Sequence, residues 1–276
     1  QGLRELGYVE GKSIIIEWRH AEGNAGRLPA LAAELLRLKV EIIVTNGPYS
    51  TRAAKKATVT IPIVMASVGD PVGEGIVASL ARPGGNITGL SSLAPELSGK
   101  RLEILKEVVP KASRVAIFGT STQPGHAQVL REIELAAEVL KVKLQYLDVL
   151  LPKDIETAFR AASKGRADAT LVMGGSVIGS QGTKVIELAV KSRLPVIHTN
   201  QATVEAGGLM SYGVNRLDLA RRAATYVDKI LKGRKPADLP VEQPIKFEFI
   251  VNLQAAKKIG LTIPPNVLVR ADRVIR

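Results

Sequence analysis

The sequence predicts an α/β protein of two doubly wound parallel-sheet lobes, joined by a three-segment hinge, with a ligand cleft between them. Three observations carry that prediction. Short apolar runs alternate with stretches of helical period along the whole chain, which is the signature of parallel α/β architecture. The runs are too numerous for one compact open sheet in 276 residues, a length that suits two domains of ordinary size. Most of the runs end in Gly, Ser, Thr, Asn or Asp, and in doubly wound sheets the loops at strand carboxyl ends form the ligand crevice.

Taken in order, Leu3 to Gly7 reads as the last turns of an amphipathic helix closed by a Gly cap. Such a stub is marginal alone, so the natural start, including any leader, is expected upstream. Ser13 to Trp18 is expected as a strand with Ile14, Ile15 and Ile16 buried on both faces. Leu28, Leu31, Ala32, Leu35 and Leu36 have helical spacing, with Pro29 placed in a first turn. Val40 to Thr45 is the next strand, and its polar turn feeds an Ala-rich helix around Ala53, Ala54 and Ala57. Ile61 to Ala66 follows as a buried strand ending in Gly69-Asp70-Pro71, then a short apolar helix, the break Pro83-Gly84-Gly85-Asn86, and an extended piece from Ile87 to Ser92.

From Pro95 the rhythm restarts. Helices are expected around Leu97–Val109, Leu130–Leu140, Ile155–Ala162 and Thr183–Ser192. Between and after them, strands are expected at Arg114–Phe118, Leu144–Val149, Ala169–Met173, Val196–Thr199 and Leu209–Gly213. A helix from Leu217 to Leu231 stops at Gly233 and Pro236, and Pro236 to Pro244 reads as a linker. Ile245, Phe247, Phe249 and Val251 alternate with Lys246 and Glu248 as a half-buried strand at a sheet edge. A last helix, Leu253 to Ile259, is capped by Gly260, and the tail beyond is expected to be irregular. The lobes are accordingly placed at 1–91 plus 211–238 and at 92–210 plus 239–276, with the first lobe lacking its first strand.

Composition limits the functions available. Hydrophobic residues make up 46% and aromatics 4%, so the cores must be aliphatic. The formal charge is +12, but Lys and Arg are spread beside Glu, as in Lys100-Arg101-Leu102-Glu103. They read as solvated helix faces, and no nucleic-acid-binding signature accompanies them. Cysteine is absent, which removes disulfides and thiolate chemistry. No stretch approaches the roughly 20 apolar residues that span a bilayer.

Catalytic patterns are missing. Gly174-Gly175-Ser176-Val177-Ile178 fails the nucleophile elbow at its last position, and neither phosphate-loop nor dinucleotide fingerprints occur. His20, His126 and His198 have no metal-ligand spacing, and neither a metal nor a cofactor is implied. What remains is a set of polar loops at strand carboxyl ends, and several precede helices, whose N-terminal amides favour a carboxylate. The candidate ligand-binding residues in them are Thr45, Asn46, Gly47, Tyr49, Ser50, Asp70, Ser91, Thr120, Ser121, Gln123, Gly175, Ser176, Thr199, Asn200 and Tyr212. Singly, such residues also serve as helix caps and turn formers. Asp70 either holds an ammonium group or caps the helix expected from Val72.

Several of these stretches carry a family resemblance. Gly2-Leu3-Arg4-Glu5-Leu6-Gly7-Tyr8, Ala21-Glu22-Gly23, Arg27-Leu28-Pro29, Ile61-Pro62-Ile63-Val64, Gly69-Asp70-Pro71-Val72, Arg82 to Gly89, Ala206 to Gly213 and Ile230 to Pro236 resemble the tryptophan/tyrosine-type substrate-binding proteins of ABC importers. These form a branch of the periplasmic binding protein superfamily. The resemblance covers essentially the whole chain. It implies two α/β lobes joined by three crossovers, a small ligand trapped between them, ABC permease subunits as membrane partners, and a signal peptide, strand and helix before Leu3.

The function expected is therefore that of a solute-binding protein, periplasmic or a cell-surface lipoprotein and monomeric, not an enzyme and without nucleic acid or cofactor. Its ligand is expected to be an amino acid, aromatic or branched, or a related carboxylate. Asp70 would take the ammonium, and the amides and hydroxyls of Thr45–Thr51 or Ser121–Gln123 would take the carboxylate. Tyr49 and Tyr212 would pack on the side chain, or else serve lobe or hinge packing. The alternative is a two-lobed α/β enzyme acting on a small carboxylate or sugar, with only Asp70 and His198 offered as a base. A third reading is the sensor lobe of a regulator without its DNA-binding headpiece.

Overall fold

The computed structural model describes residues 1–276. The chain divides into two units, Gln1–Ala94 with Asn215–Lys246, and Pro95–Val214 with Phe247–Arg276. The first unit opens with α1 (Gly2–Glu5), α2 (Leu28–Arg37), β1 (Ile43–Asn46), α3 (Pro48–Ala57), β2 (Ile63–Val68) and β3 (Ile87–Ser91). The second contains α4 (Ala94–Val108, its first residue in the first unit), β4 (Arg114–Gly119), α5 (His126–Leu140), β5 (Lys143–Asp148), α6 (Asp154–Lys164), β6 (Ala169–Val172), α7 (Ser176–Ser180), α8 (Gly182–Ser192), β7 (Val196–His198), α9 (Gln201–Glu205) and β8 (Met210–Val214). The chain returns to the first unit for α10 (Arg216–Leu231), and to the second for β9 (Phe247–Asn252), α11 (Leu253–Ile259), α12 (Pro265–Arg270) and β10 (Arg273–Ile275).

The first unit is built on a parallel sheet of order β1-β2-β3, with α3 packed on β1 and β2 and α10 on β2 and β3. Ile43, Ile63, Met65 and Ile87 interlock with Ala54, Ile76, Val77 and Val241 as its core. β2 and β3 approach closely at Gly89, whose φ is +132° and where a Cβ would run into the Met65 carbonyl. Only glycine fits that position.

The second unit carries seven strands in the order β10-β9-β8-β7-β6-β4-β5, all parallel except the β8–β9 pair. The order reverses at β4, which is flanked by β5 and β6, so a topological switch point lies between the carboxyl ends of β4 and β6. One core layer is aliphatic around a single aromatic pair, Phe118 and Phe159, set edge to face with centroids 4.9 Å apart.

Several sequence expectations are corrected. Ser13–Trp18 is open chain with one isolated bridge at Ile14, and Ile15 and Trp18 are 80% and 66% exposed. A β-branched run favours a strand, but a strand needs a neighbour. The helix expected after Pro71 is instead a series of turns, because Gly73 and Gly75 (φ +67°) interrupt it. The tail is regular, with α12 and the edge strand β10, so β9 is an inner strand.

The unit boundaries shift as well. Ser211–Val214 stays in the second unit, because β8 is hydrogen-bonded to both β7 and β9. Residues 239–246 stay in the first. Thr88 Oγ1 donates to the Leu239 carbonyl at 2.6 Å, and the Val241, Glu242 and Ser91 amides bond to Leu80, Gly89 and Glu242 carbonyls.

Candidate ligand-binding site

In the first unit, the candidate residues stand together at the carboxyl edge of the parallel sheet. The loop after β1 presents Asn46, Gly47, Tyr49 and Ser50 at the N-terminus of α3. Its hydroxyls are already engaged: Thr45 Oγ1 and Thr51 Oγ1 lie 2.8 Å apart, Thr51 Oγ1 donates to the Gly47 carbonyl, and Ser50 Oγ donates to the Asn46 carbonyl. These side chains shape the loop, and the helix N-terminus it displays is suited to an anionic group.

After β2, Asp70 Oδ1 accepts from the Gly73 amide at 2.9 Å, so the carboxylate closes a turn in place of the helix expected there. Ser91 lies in the same layer and donates from Oγ to the Gly69 carbonyl at 3.2 Å. Glu74, not singled out in the sequence, reaches back under this turn. Its Oε1 accepts from the Asp70 amide at 3.3 Å, while Oε2 is buried without a partner. Burial raises its pKa against the opposing Asp70 amide and the Arg52 charge.

In the second unit, the candidates line the carboxyl ends of β4, β6, β7 and β8. Thr120 Oγ1 is buried on the Val149 carbonyl at 2.8 Å. Ser121 is held by Asp148, which accepts from its amide at 2.9 Å and its hydroxyl at 2.6 Å, and from Tyr146 OH at 3.1 Å. Burial would raise the pKa of Asp148, but the Ser121 and Tyr146 hydrogen bonds outweigh it and the carboxyl is held below its usual range. Asp148 went unnoticed in the sequence. Its place next to last in the strand expected at Leu144–Val149 was the only signal.

Gln123 and Gly175 meet across the switch point. Gly175 has φ +132°, a backbone conformation that favours glycine, and Gln123 Oε1 lies where a Cβ would stand. Ser176 opens the five-residue helix α7, and Thr199 packs beside Gly174. Asn200 caps α9, its Oδ1 accepting from the Thr203 amide at 3.1 Å. Tyr212 is half-buried, and its ring stacks on Phe247 with centroids 6.3 Å apart and 22° between planes.

Two further polar groups near these strand ends are deeply buried. His198, at the end of β7, is 4% exposed, and burial lowers its pKa to about 4. Arg101 is also 4% exposed, which corrects the expectation that the Lys100–Glu103 stretch is a solvated face. Its Nε donates to the Tyr212 carbonyl at 2.7 Å, its Nη1 donates to Ser98 Oγ at 3.0 Å, and burial lowers the guanidinium to about 10. No group of three or more His, Asp or Glu side chains is arranged to hold a metal.

Residues 1–275 match the profile of the ABC transporter substrate-binding protein family. The chain belongs to that family. Among the relatives of this substrate-binding protein is the tyrosine-binding protein of Clostridioides difficile, 25% identical over 261 residues, covering 95% of this chain and 75% of the relative. A conserved domain protein of Vibrio cholerae matches with a TM-score of 0.93 and 29% identity, over 99% of this chain and 91% of that one. A domain from Streptococcus pneumoniae, solved in complex with L-Trp, matches with a TM-score of 0.90 and 27% identity, over 99% and 92%.

The substrate-binding protein described here is thus the solute-binding component of an ABC importer, of two α/β lobes, in a family that acts outside the cytoplasm and hands small ligands to a permease. None of its helices is long and apolar enough to cross a membrane.

Proposed function

We propose that this substrate-binding protein captures an aromatic L-amino acid and delivers it, as a monomer in the periplasm or as a lipoprotein at the cell surface, to its permease. The likeness over 99% of the chain to a protein bound to L-Trp carries the reading, and the tyrosine-binding relative points the same way. In this proposal the ligand carboxylate meets the amides around Asn46–Ser50, at the start of α3, and not those of Ser121–Gln123, where the Ser121 amide and hydroxyl already face the Asp148 carboxylate. The Gln123–Gly175 contact bounds the pocket beside Ser176 and Thr199, and Tyr49 packs on the ring. Ligand held by one lobe favours the closed arrangement, a population shift set by differential affinity.

Two observations weigh against a hydrolytic or isomerising enzyme. His198 is enclosed and poor as a base near neutral pH, and Asp70 is engaged by the Gly73 amide.

A thermal-shift screen of amino acids, branched and aromatic carboxylates, sugars and purines tests the reading. L-Tyr or L-Trp at 100-fold its dissociation constant stabilises by about 2.7 kcal/mol, which raises Tm by about 5 °C or more. A shift with sugars or purines alone would refute the ligand class.

A further inference from the structure

The chain crosses between its units after Ala94, after Val214 and after Lys246. On the second-unit side of these crossings stand α4, the end of β8 and the start of β9. One guanidinium joins the first two, since Arg101 of α4 donates to the carbonyl of Tyr212, two residues before the second crossing. The third is held by the same tyrosine, whose ring stacks on Phe247, the first residue after the last crossing, and whose backbone pairs with Phe249 in the antiparallel ladder.

Arg101 does this without a counter-charge. It is 4% exposed, and none of the chain's ion pairs includes it. A buried cation with no anion is an expensive way to hold a helix to a strand, so packing alone does not account for arginine here. The first-unit side of the first crossing is different in kind. Leu93 sits in the left-handed region (φ +50°), which a leucine rarely adopts, with its amide on Ser91 Oγ at 3.2 Å.

We propose that Arg101 is the positioning residue of the hinge: through the Tyr212 carbonyl it holds the second-unit ends of all three crossing segments as one rigid piece. The rotation that accompanies ligand capture is then taken up on the other side of each crossing, at Leu93, Asn215 and Lys246. The ligand arm of the test rests on the proposed aromatic amino acid, and the ligand-free arm does not.

Arg101→Met removes the donors, and Arg101→Lys keeps the charge without the planar donor fork. In the ligand-free protein, hydrogen exchange at the amides of Tyr212–Val214 and Phe247–Phe249 rises about tenfold or more in both variants, while the β4–β5 ladder keeps its wild-type rate. With L-Tyr or L-Trp, the dissociation rate constant rises about tenfold and the association rate constant changes by less than about threefold. A uniform rise in exchange across every strand, or unchanged exchange at β8–β9, overturns the proposal by leaving Arg101 a stabilising residue only. Should Arg101→Met fail to fold, Arg101→Lys decides on the same readings. Should the wild type bind neither amino acid, the ligand class falls, and the exchange pattern alone judges Arg101.

Discussion

His198 ends β7 inside the second unit, next to the candidate residues Thr199 and Asn200. Burial lowers its pKa from 6.5 to about 4, so the folded protein keeps the ring neutral at pH values where the unfolded chain takes up a proton. The stability this contributes is whole above pH 6.5 and is lost as pH falls toward 4, by about 3 kcal/mol at most. Thermal unfolding followed from pH 7 to pH 4 will show this acid loss, and His198→Asn will flatten it. An equal slope in the variant would remove His198 as its source. From the sequence this histidine could equally face a cleft or sit satisfied in a core, because periodicity over a three-residue strand does not set which way a ring points. Arg101 was hidden for a related reason: its neighbours Lys100 and Glu103 form an exposed i,i+3 pair, and one buried cation among them leaves no mark in composition.

At the level of elements, the legible features were those with a strong apolar period. β2, β4 and β6 are enclosed nearly throughout and read as apolar runs, β3 reads as an extended piece after the Pro83–Asn86 break, and α5 and α10 carry clear stripes. The five-residue helices α7 and α9 are too short to show any period, and β10 depends on pairing with β9. The segment after Asp70 was apolar enough to suggest a helix, but local turn chemistry prevailed there. That turn makes a prediction. If Asp70 serves only to accept from the Gly73 amide, Asp70→Asn keeps both stability and ligand affinity. Asp70→Ala then loses about 1 kcal/mol, measured by denaturant unfolding. A tenfold or greater loss of amino-acid affinity in Asp70→Asn would instead make the carboxylate a ligand for the ammonium.

For the whole molecule, the alternation of strands and helices was enough to foresee two α/β units and three crossings. The positions of the second and third crossings were not legible, because they depend on which sheet β8 and residues 239–246 join. Ser211–Val214 is fixed by ladders on both sides, and the 239–246 segment by hydrogen bonds to β3. The candidate site divides the same way. The residue set at the strand ends could be named from turn chemistry, whereas the occupation of its hydroxyls by Thr51, Val149 and Asp148 required tertiary structure. The central claim is one small aromatic amino acid per chain, bound reversibly. Isothermal titration of L-Tyr and L-Trp into the purified protein tests it most directly. A single site with a dissociation constant near micromolar, about −8.2 kcal/mol, and much weaker binding of tyramine, which lacks the carboxylate, is the result predicted. Equal affinity for tyramine, or saturable heat only with a ligand that has neither ring nor carboxylate, would contradict it.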